Sequence, residues 1–307
     1  MVHEHKIDLS RSTIRRLALS LGITLGFVGI EILAGVFANS LALLTDAAHN
    51  LTDVLALALT WWALWVTAKP ANSAKTYGYH RAGILVALVN STTLVLIALG
   101  IFYEAWKRFL ASPIVQADIL IGVGAAAIVI NLATALLVRR GSEHDLNLHS
   151  AFLHLMGDVL STLGAVVAGI LIRFTGWNWL DALVSMLIGF LILWNAWGIL
   201  RESVQILMES TPADIDIHAL QRDILVVEGV RGVHDLHVWS ITRSLRTLSA
   251  HLLVDDVPVS VGAKVQVAVG EMLAHQYGIN HVTLQLECTD CAPVGLYCDI
   301  SVDNHSH

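Results

Sequence analysis

The sequence carries one short pattern twice, His49-Asn50-Leu51-Thr52-Asp53 and His154-Leu155-Met156-Gly157-Asp158, and both copies lie inside long apolar segments. In each copy an imidazole and a carboxylate are four residues apart, so on an α-helix the two side chains share one face. An ionisable group at bilayer depth costs about 2.5–3.5 kcal/mol on insertion scales, and such groups therefore mark functional sites. Together the two pairs supply four ligand atoms, enough for a divalent cation or, in its absence, for protons.

The composition is that of a membrane protein with several spans. Of the 307 residues, 55% are hydrophobic and 14% are charged, and the mean hydropathy is +0.67. The net charge is −7 and no basic patch with interleaved aromatic residues occurs, which excludes a nucleic-acid-binding protein. The three cysteines, Cys288, Cys291 and Cys298, lie near the C-terminus, and an odd number there argues against a disulfide framework.

Six apolar segments are long enough to cross the hydrocarbon core of a lipid bilayer, which is about 30 Å thick. They predict transmembrane helices at Thr13–Phe37, Leu41–Thr67, Arg81–Phe109, Ala117–Val138, Leu148–Phe174 and Leu180–Leu200. Ten of the lysines and arginines near segment ends fall on one side and three on the other. Because positive residues concentrate on the cytoplasmic side, both termini are predicted to be cytoplasmic.

The character of the chain changes after Pro212, where an acidic stretch at 214–216 indicates the start of a helix. Periodicity then predicts, in order, a helix, two strands, a helix and a strand: Ile217–Val227, Val233–Ile241, Thr247–Val254, Ser260–Tyr277 and His281–Glu287. This αββαβ order suits a small α+β domain with both helices on one face of a three-stranded sheet. The predicted division is an N-terminal tail (1–12), a membrane domain (13–210), a C-terminal domain (211–290) and a C-terminal tail (291–307).

The two histidine–aspartate pairs are predicted to face each other from the second and fifth helices. Two imidazole nitrogens at about 2.0–2.1 Å and two carboxylate oxygens at about 2.0–2.2 Å form the tetrahedral set that suits Zn²⁺, whereas Mg²⁺ and Ca²⁺ prefer more oxygens. The alternative is that these groups only join helices by hydrogen bonds. Asp46, three residues before His49, either supports the metal ligands or is a polar residue at the extracytoplasmic opening.

Four motifs extend these observations along nearly the whole chain: Ser40-Leu41-Ala42-Leu43-Leu44-Thr45-Asp46-Ala47-Ala48-His49-Asn50-Leu51-Thr52-Asp53, Tyr77-Gly78-Tyr79-His80-Arg81, His154-Leu155-Met156-Gly157-Asp158 and His234-Asp235-Leu236-His237-Val238-Trp239. Together they resemble the cation diffusion facilitator family, and most closely its bacterial zinc-exporting branch. The resemblance implies six transmembrane helices followed by a cytoplasmic α+β domain of the ferredoxin-like or metallochaperone-like kind.

The resemblance also implies a function. A family member of this branch is expected to be a homodimer in the bacterial cytoplasmic membrane that exports Zn²⁺, with Cd²⁺ as a related substrate, in exchange for H⁺ by alternating access. The matching residues His49, Asp53, His154 and Asp158 are then the transport site. Manganese-transporting members carry a carboxylate at the first position of a helical pair, where this chain has histidine in both pairs.

Further candidates follow from the same resemblance. In the C-terminal domain His234, His237, His251 and Glu287 match positions of metal ligands in similar zinc transporters, and Cys288 and Cys291 add two thiols with metal-binding spacing. Strand alternation predicts that His237 and His251 face each other on adjacent strands. Arg81 and Glu209 are expected to form an ion pair that holds the dimer at the membrane surface.

Two other functions remain open at the level of the sequence. A membrane-embedded zinc enzyme would need an open coordination position and a nearby general base, and no His-Glu-x-x-His sequence occurs. A metal sensor that does not transport would use only the C-terminal domain, and the intramembrane histidines and aspartates would have no role in it.

Overall fold

The structure is a computed structural model that describes residues 11–139 and 146–288, with side-chain environments given for 22–136 and 152–288. The chain divides into two compact units, one that runs to residue 62 and continues over 86–200, and another that comprises 63–85 and continues from residue 201. Residues 1–10, 140–145 and 289–307 lie outside the described residues.

The first two-thirds of the chain form six long helices, as predicted. They are α1 Arg11–Ala38, α2 Leu41–Thr67, α3 Ala82–Ala111, α4 Ala117–Arg139, α5 Leu146–Thr175 and α6 Trp179–Leu207. Most ends agree with the predicted ones within two residues. The exception is α6, which continues past Leu200 because Arg201 and Glu202 end the apolar run without ending the helix.

Among the described residues, four stretches are long and apolar enough to cross a membrane: Ala82–Ala111, Ala117–Leu136, Phe152–Thr175 and Trp179–Leu207; Gly22–Ala38 is a shorter apolar stretch. Helix α2 falls just outside this set because Asp46, His49, Asn50 and Asp53 lower its hydropathy. The polar residues that interrupt α2 are therefore also the residues for which a functional reason is needed.

The start of α2 is fixed by a carboxylate from another helix. Asp181, in the first turn of α6, accepts hydrogen bonds from Ser40 Oγ (2.6 Å) and from the backbone N–H groups of Leu41 (2.6 Å) and Ala42 (3.3 Å). These are N–H groups that a helix leaves without intrahelical partners at its N-terminus. Asp181, which is 1% exposed, therefore fixes the start of the helix that carries His49 and Asp53.

The C-terminal domain has the predicted αββαβ order. Its elements are α7 Ile217–Val226, β1 Gly232–Ser240, β2 Arg246–Leu253, α8 Val259–Tyr277 and β3 Ile279–Glu287. Strand β1 pairs antiparallel with β2, and β2 pairs parallel with β3. Both helices contribute to one apolar core against the sheet, with Leu220 and Ile224 from α7 and Val269 and Leu273 from α8 fully buried.

Local residues set the ends of both helices in this domain. Asp216 is the N-cap of α7 and accepts hydrogen bonds from the backbone N–H groups of His218 and Ala219, in agreement with the acidic start predicted from the sequence. Gly278 ends α8 with a φ of +64°, a left-handed conformation that glycine adopts without steric cost. The chain can then turn directly into β3.

Candidate metal sites

Helices α2 and α5 bring the two histidine–aspartate pairs together. The nitrogen–oxygen distances are 3.0 Å for His154 Nε2–Asp53 Oδ2, 3.5 Å for His49 Nε2–Asp158 Oδ1, 3.7 Å for His49 Nε2–Asp53 Oδ2 and 3.9 Å for His154 Nε2–Asp158 Oδ2. The two imidazole rings stand edge to face with centroids 5.6 Å apart. The two pairs, which are at least 101 positions apart in the sequence, thus form one cluster of four residues.

These distances suit a tetrahedral metal ion. Bonds of about 2.0–2.1 Å in a tetrahedron separate neighbouring ligand atoms by about 3.4 Å, and the four nitrogen–oxygen distances, from 3.0 to 3.9 Å, lie on both sides of that value. The ligand atoms of His49, Asp53 and His154 all lie within 4.8 Å of one another. Asp158 presents Oδ1 to His49 and Oδ2 to His154, so its carboxylate has to rotate before one oxygen completes a four-ligand set.

The site is more open at one end than at the other. The side chain of His154 is 49% exposed, whereas that of Asp158 is 7% exposed. Asp158 is therefore the more enclosed of these two ligands and His154 the more accessible one.

Asp46 does not lie at an open helix end. It is 1% exposed, and its Oδ2 accepts a hydrogen bond of 3.1 Å from Thr162 Oγ1 on α5. The alternative reading of Asp46 as a residue at the extracytoplasmic opening is wrong, because the side chain is enclosed between helices. Asp46 lies about one helical turn before His49 on α2 and contacts α5 through Thr162.

The C-terminal domain holds a second cluster, formed by His234, His251 and Glu287. Glu287 Oε2 lies 2.8 Å from His234 Nε2, and Glu287 Oε1 lies 3.0 Å from His251 Nδ1. The two rings are edge to face with centroids 5.0 Å apart, and the ligand atoms of the three residues lie within 4.8 Å of one another. Two nitrogens and one carboxylate leave room for a fourth ligand.

The electrostatics of this cluster favour an ionised carboxylate. Burial opposes ionisation of Glu287, but hydrogen bonds with His234 and Gln285 outweigh it and hold the pKa of this carboxyl below its usual range. A carboxylate that is ionised and adjacent to two imidazoles is ready to bind a divalent metal ion, since metal ligands must be deprotonated.

The predicted cross-strand contact between His237 and His251 is wrong. His251 pairs with His234, and His237 pairs with Ser249, because the register of β1 shifts between His234 and His237. Asp235, at a φ of +48°, lies within this irregularity. Its carboxylate lies 2.9 Å from His237 Nε2 and 3.4 Å from His251 Nε2, so Asp235 links His237 to the cluster.

The remaining candidates are divided. Cys288 is exposed and follows Glu287 directly, while Cys291 lies outside the described residues. Arg81 and Glu209 are brought together, with Arg81 Nη2 donating to Glu209 Oε1 at 2.7 Å. Their side chains are 38% and 58% exposed, and an exposed ion pair of this kind contributes only about 0–1 kcal/mol.

Sequence reasoning missed two buried acidic residues of the membrane helices, Glu31 and Asp181. Glu31 on α1 is fully buried and accepts a hydrogen bond of 3.3 Å from Asn50 Nδ2 on α2. A signal was present, because an isolated acidic residue in an apolar span is a functional candidate by default. Neither residue belongs to a repeated pattern, whereas the histidine–aspartate pairs of α2 and α5 do.

Comparison with known proteins agrees with both parts of this architecture. The family described as "Cation efflux transmembrane domain" matches residues 17–208, and that described as "Cation efflux protein, cytoplasmic domain" matches residues 212–288. A solved structure of the metal-bound C-terminal domain of the CzcD transporter from Cuprividus metallidurans is 33% identical, covering 24% of this chain and 99% of that one, with a TM-score of 0.22.

Full-length relatives are similar over nearly the entire sequence. The cadmium, cobalt and zinc/H(+)-K(+) antiporter of Bacillus subtilis is 38% identical over 94% of this chain and 92% of its own. The metal cation efflux protein CzcD of Cupriavidus metallidurans is 36% identical over 94% and 90%, and the zinc transporter ZitB of Escherichia coli is 33% identical over 100% and 99%. The chain therefore belongs to the cation diffusion facilitator, or cation efflux, family and is a multi-pass membrane transporter rather than an enzyme.

Proposed function

We propose that this protein exports Zn²⁺, with Cd²⁺ as a related substrate, from the cytoplasm in exchange for protons, and that His49, Asp53, His154 and Asp158 bind the transported ion. The observation that carries the proposal is the meeting of the two pairs at distances that suit a tetrahedral ion. Two relatives, a zinc transporter and a cadmium, cobalt and zinc antiporter, support the same metals.

The charges of the four ligands support an exchange for protons. Two carboxylates with two imidazolium ions carry no net charge, and two carboxylates with two neutral imidazoles and one Zn²⁺ carry none either. Exchanging one Zn²⁺ for two protons therefore leaves the net charge of these four ligands unchanged. Histidine titrates near neutral pH when unperturbed, and metal binding requires its neutral form.

In this cluster the shortest histidine–aspartate contacts run between α2 and α5, which suits the proton-loaded form. His154 lies closest to Asp53, and His49 lies closer to Asp158 than to Asp53. Each histidine, when protonated, thus has a carboxylate from the other helix as its nearest partner. The proton-loaded ligands hold α2 and α5 together through two ion pairs, and the metal-loaded ligands hold them through one ion.

The cluster of His234, His251 and Glu287 is a candidate for a resident metal ion in the C-terminal domain. Its nitrogen and carboxylate donors fit Zn²⁺, and a bound ion would link β1, β2 and β3. We expect His251→Ala to remove one metal equivalent from the purified protein, measured by elemental analysis. His237→Ala should keep that equivalent, because the three grouped ligands are His234, His251 and Glu287 and His237 contacts Asp235 instead.

The assembly and placement that we propose are a homodimer in the bacterial cytoplasmic membrane with both termini in the cytoplasm. The bias of lysine and arginine toward one side supports this orientation, and the boundary between the two family matches, at residues 208 and 212, supports a membrane domain ending near 210. Arg81 and Glu209 are candidates for stabilising the dimer near the membrane surface. Light scattering on the purified protein tests the dimer directly.

The transport experiment uses full-length protein in proteoliposomes with a zinc-sensitive dye inside. An acidic lumen should drive zinc into the vesicles, because the outward proton gradient supplies the free energy for exchange. Asp53→Asn should abolish this uptake. Glu104→Gln should retain it, because Glu104 lies near the end of α3 and pairs only with Lys107 and Arg108 among the described residues.

Two results would contradict the proposal. Absence of pH-driven zinc uptake by the wild-type protein would exclude zinc/proton exchange. Uptake by Asp53→Asn at the wild-type rate would exclude the four-residue cluster as the transport site.

A further inference from the structure

We propose that Glu31 and Asp46 form a proton-binding site in the membrane helices, separate from the four metal ligands, and that its proton leaves when metal occupies those ligands. This inference rests on the proposed function, since an exchangeable proton has a role only if the protein is an antiporter. It extends the set of exchanged protons beyond the metal ligands themselves.

The two carboxyl groups are enclosed on neighbouring helices. Glu31 on α1 is 0% exposed and Asp46 on α2 is 1% exposed. Asn50, which donates to Glu31, lies four residues after Asp46, so the side chains of Asn50 and Asp46 share one face of α2. Each has one oxygen with a donor: Asn50 Nδ2 for Glu31 Oε2, and Thr162 Oγ1 for Asp46 Oδ2.

The other oxygen of each group has no donor among the described residues. These atoms are Glu31 Oε1 and Asp46 Oδ1, and both are inaccessible to solvent. A buried acceptor without a donor costs about 1–3 kcal/mol, and more when it is charged. A single proton shared between the two carboxyl groups supplies the missing donor and removes one of two adjacent negative charges.

The ionisable groups that act on Glu31 and Asp46 from α2 and α5 are Asp158, which adds negative charge, and His49, whose imidazolium adds positive charge. His49 Nε2 lies 3.5 Å from Asp158 Oδ1, so its positive charge is paired with that ligand. Helix α4, which packs against α1, has ionisable residues only at its ends, Asp118 and Arg139. On α1 the nearest arginine in sequence is Arg16, about 22 Å along the helix axis at 1.5 Å per residue.

The site is placed to respond to the metal. Asn50, which donates to Glu31, follows His49 directly, and the single hydroxyl proton of Thr162 is shared between Asp46 Oδ2 at 3.1 Å and the backbone carbonyl of Asp158 at 2.8 Å. Closing the four ligands around an ion therefore moves side chains that share these donors with Glu31 and Asp46, and a donor that moves closer to a carboxylate stabilises its negative charge.

The test is infrared difference spectroscopy on the purified full-length protein, with and without Zn²⁺. The metal-free wild type at neutral pH should show the carbonyl band of a protonated carboxylic acid, and saturating Zn²⁺ should diminish it. Glu31→Gln should lack this band, whereas Glu31→Asp and the matched control Glu104→Gln should keep it. Calorimetry in buffers of different ionisation enthalpy should show about one proton fewer released per zinc ion in Glu31→Gln.

Several outcomes would overturn the proposal. They are a metal-free wild type without the band, a band that remains in Glu31→Gln, a band that Zn²⁺ leaves unchanged, or a band removed by K⁺ at constant pH, which would mark a metal-cation site. If Glu31→Gln does not fold, Asp46→Asn is used with the same criteria. Wild-type protein that neither binds nor transports zinc would instead contradict the proposed function, so the two failures are distinguishable.

Discussion

Replacing Asp53 by asparagine should weaken zinc binding at the intramembrane cluster by about two to three orders of magnitude. Asp53 Oδ2 lies 3.0 Å from His154 Nε2 and 3.7 Å from His49 Nε2, so the substitution removes the charge of a ligand that contacts both histidines. Four-ligand zinc sites have apparent binding free energies of about 10–16 kcal/mol, or about 2.5–4 kcal/mol per ligand. At 1.4 kcal/mol per tenfold change, that loss corresponds to about 10²–10³ in Kd.

The assay is competition against a zinc-chelating dye with purified full-length protein. A His251→Ala background removes the C-terminal cluster, so that the measured Kd belongs to α2 and α5. Glu104→Gln in the same background is the control, because it removes one carboxylate of a membrane helix far from both pairs in sequence. A Kd for Asp53→Asn within threefold of the control would refute the assignment of Asp53 as a ligand.

Three other predictions concern different parts of the chain. Asp181→Ala should lower the free energy of unfolding by about 2 kcal/mol, because it removes the acceptor for the first N–H groups of α2; an unchanged melting temperature in detergent would contradict this role. Burial and a hydrogen bond to Asp223 raise the pKa of Tyr277 to about 12, so its contribution to stability is fully present below pH 10, the usual tyrosine pKa, and is lost as the pH rises through 12. Alkaline unfolding of Tyr277→Phe should therefore depend less on pH in that range than unfolding of the wild type, and equal slopes would refute the argument. His49→Asp should shift transport from zinc toward manganese in competitive uptake by proteoliposomes, and an unchanged preference would show that the first residue of the pair does not select the metal.

The elements of this fold are predictable because each is marked by a strong local signal. The membrane helices are apolar runs whose ends are set by turns and charges, and the C-terminal domain has clear periodicity and an acidic helix start at Asp216. The histidine–aspartate pairs are equally visible, since helical spacing places both members of a pair on one face. The two pairs are expected to come together across α2 and α5, because four isolated ionisable side chains would be costly in free energy inside a bilayer.

What the sequence did not reveal depends on contacts between distant residues. Strand alternation assumes a regular register, and the irregularity at Asp235 places His234 rather than His237 opposite His251. Asp181 acts on α2 from a helix that begins about 140 residues later, as its contacts show. Glu31 becomes a candidate for proton binding because the fold brings it close to Asp46 on α2.

X-ray absorption at the zinc edge is the most direct test of the central claim, that two histidines and two aspartates hold the transported ion. The sample is full-length protein with the C-terminal cluster removed by His234→Ala and His251→Ala, loaded with one zinc ion per chain. We predict four nitrogen and oxygen ligands at about 2.0–2.2 Å with imidazole scattering from two rings. A sulfur ligand at about 2.3 Å, or a six-oxygen shell without imidazole, would contradict the account.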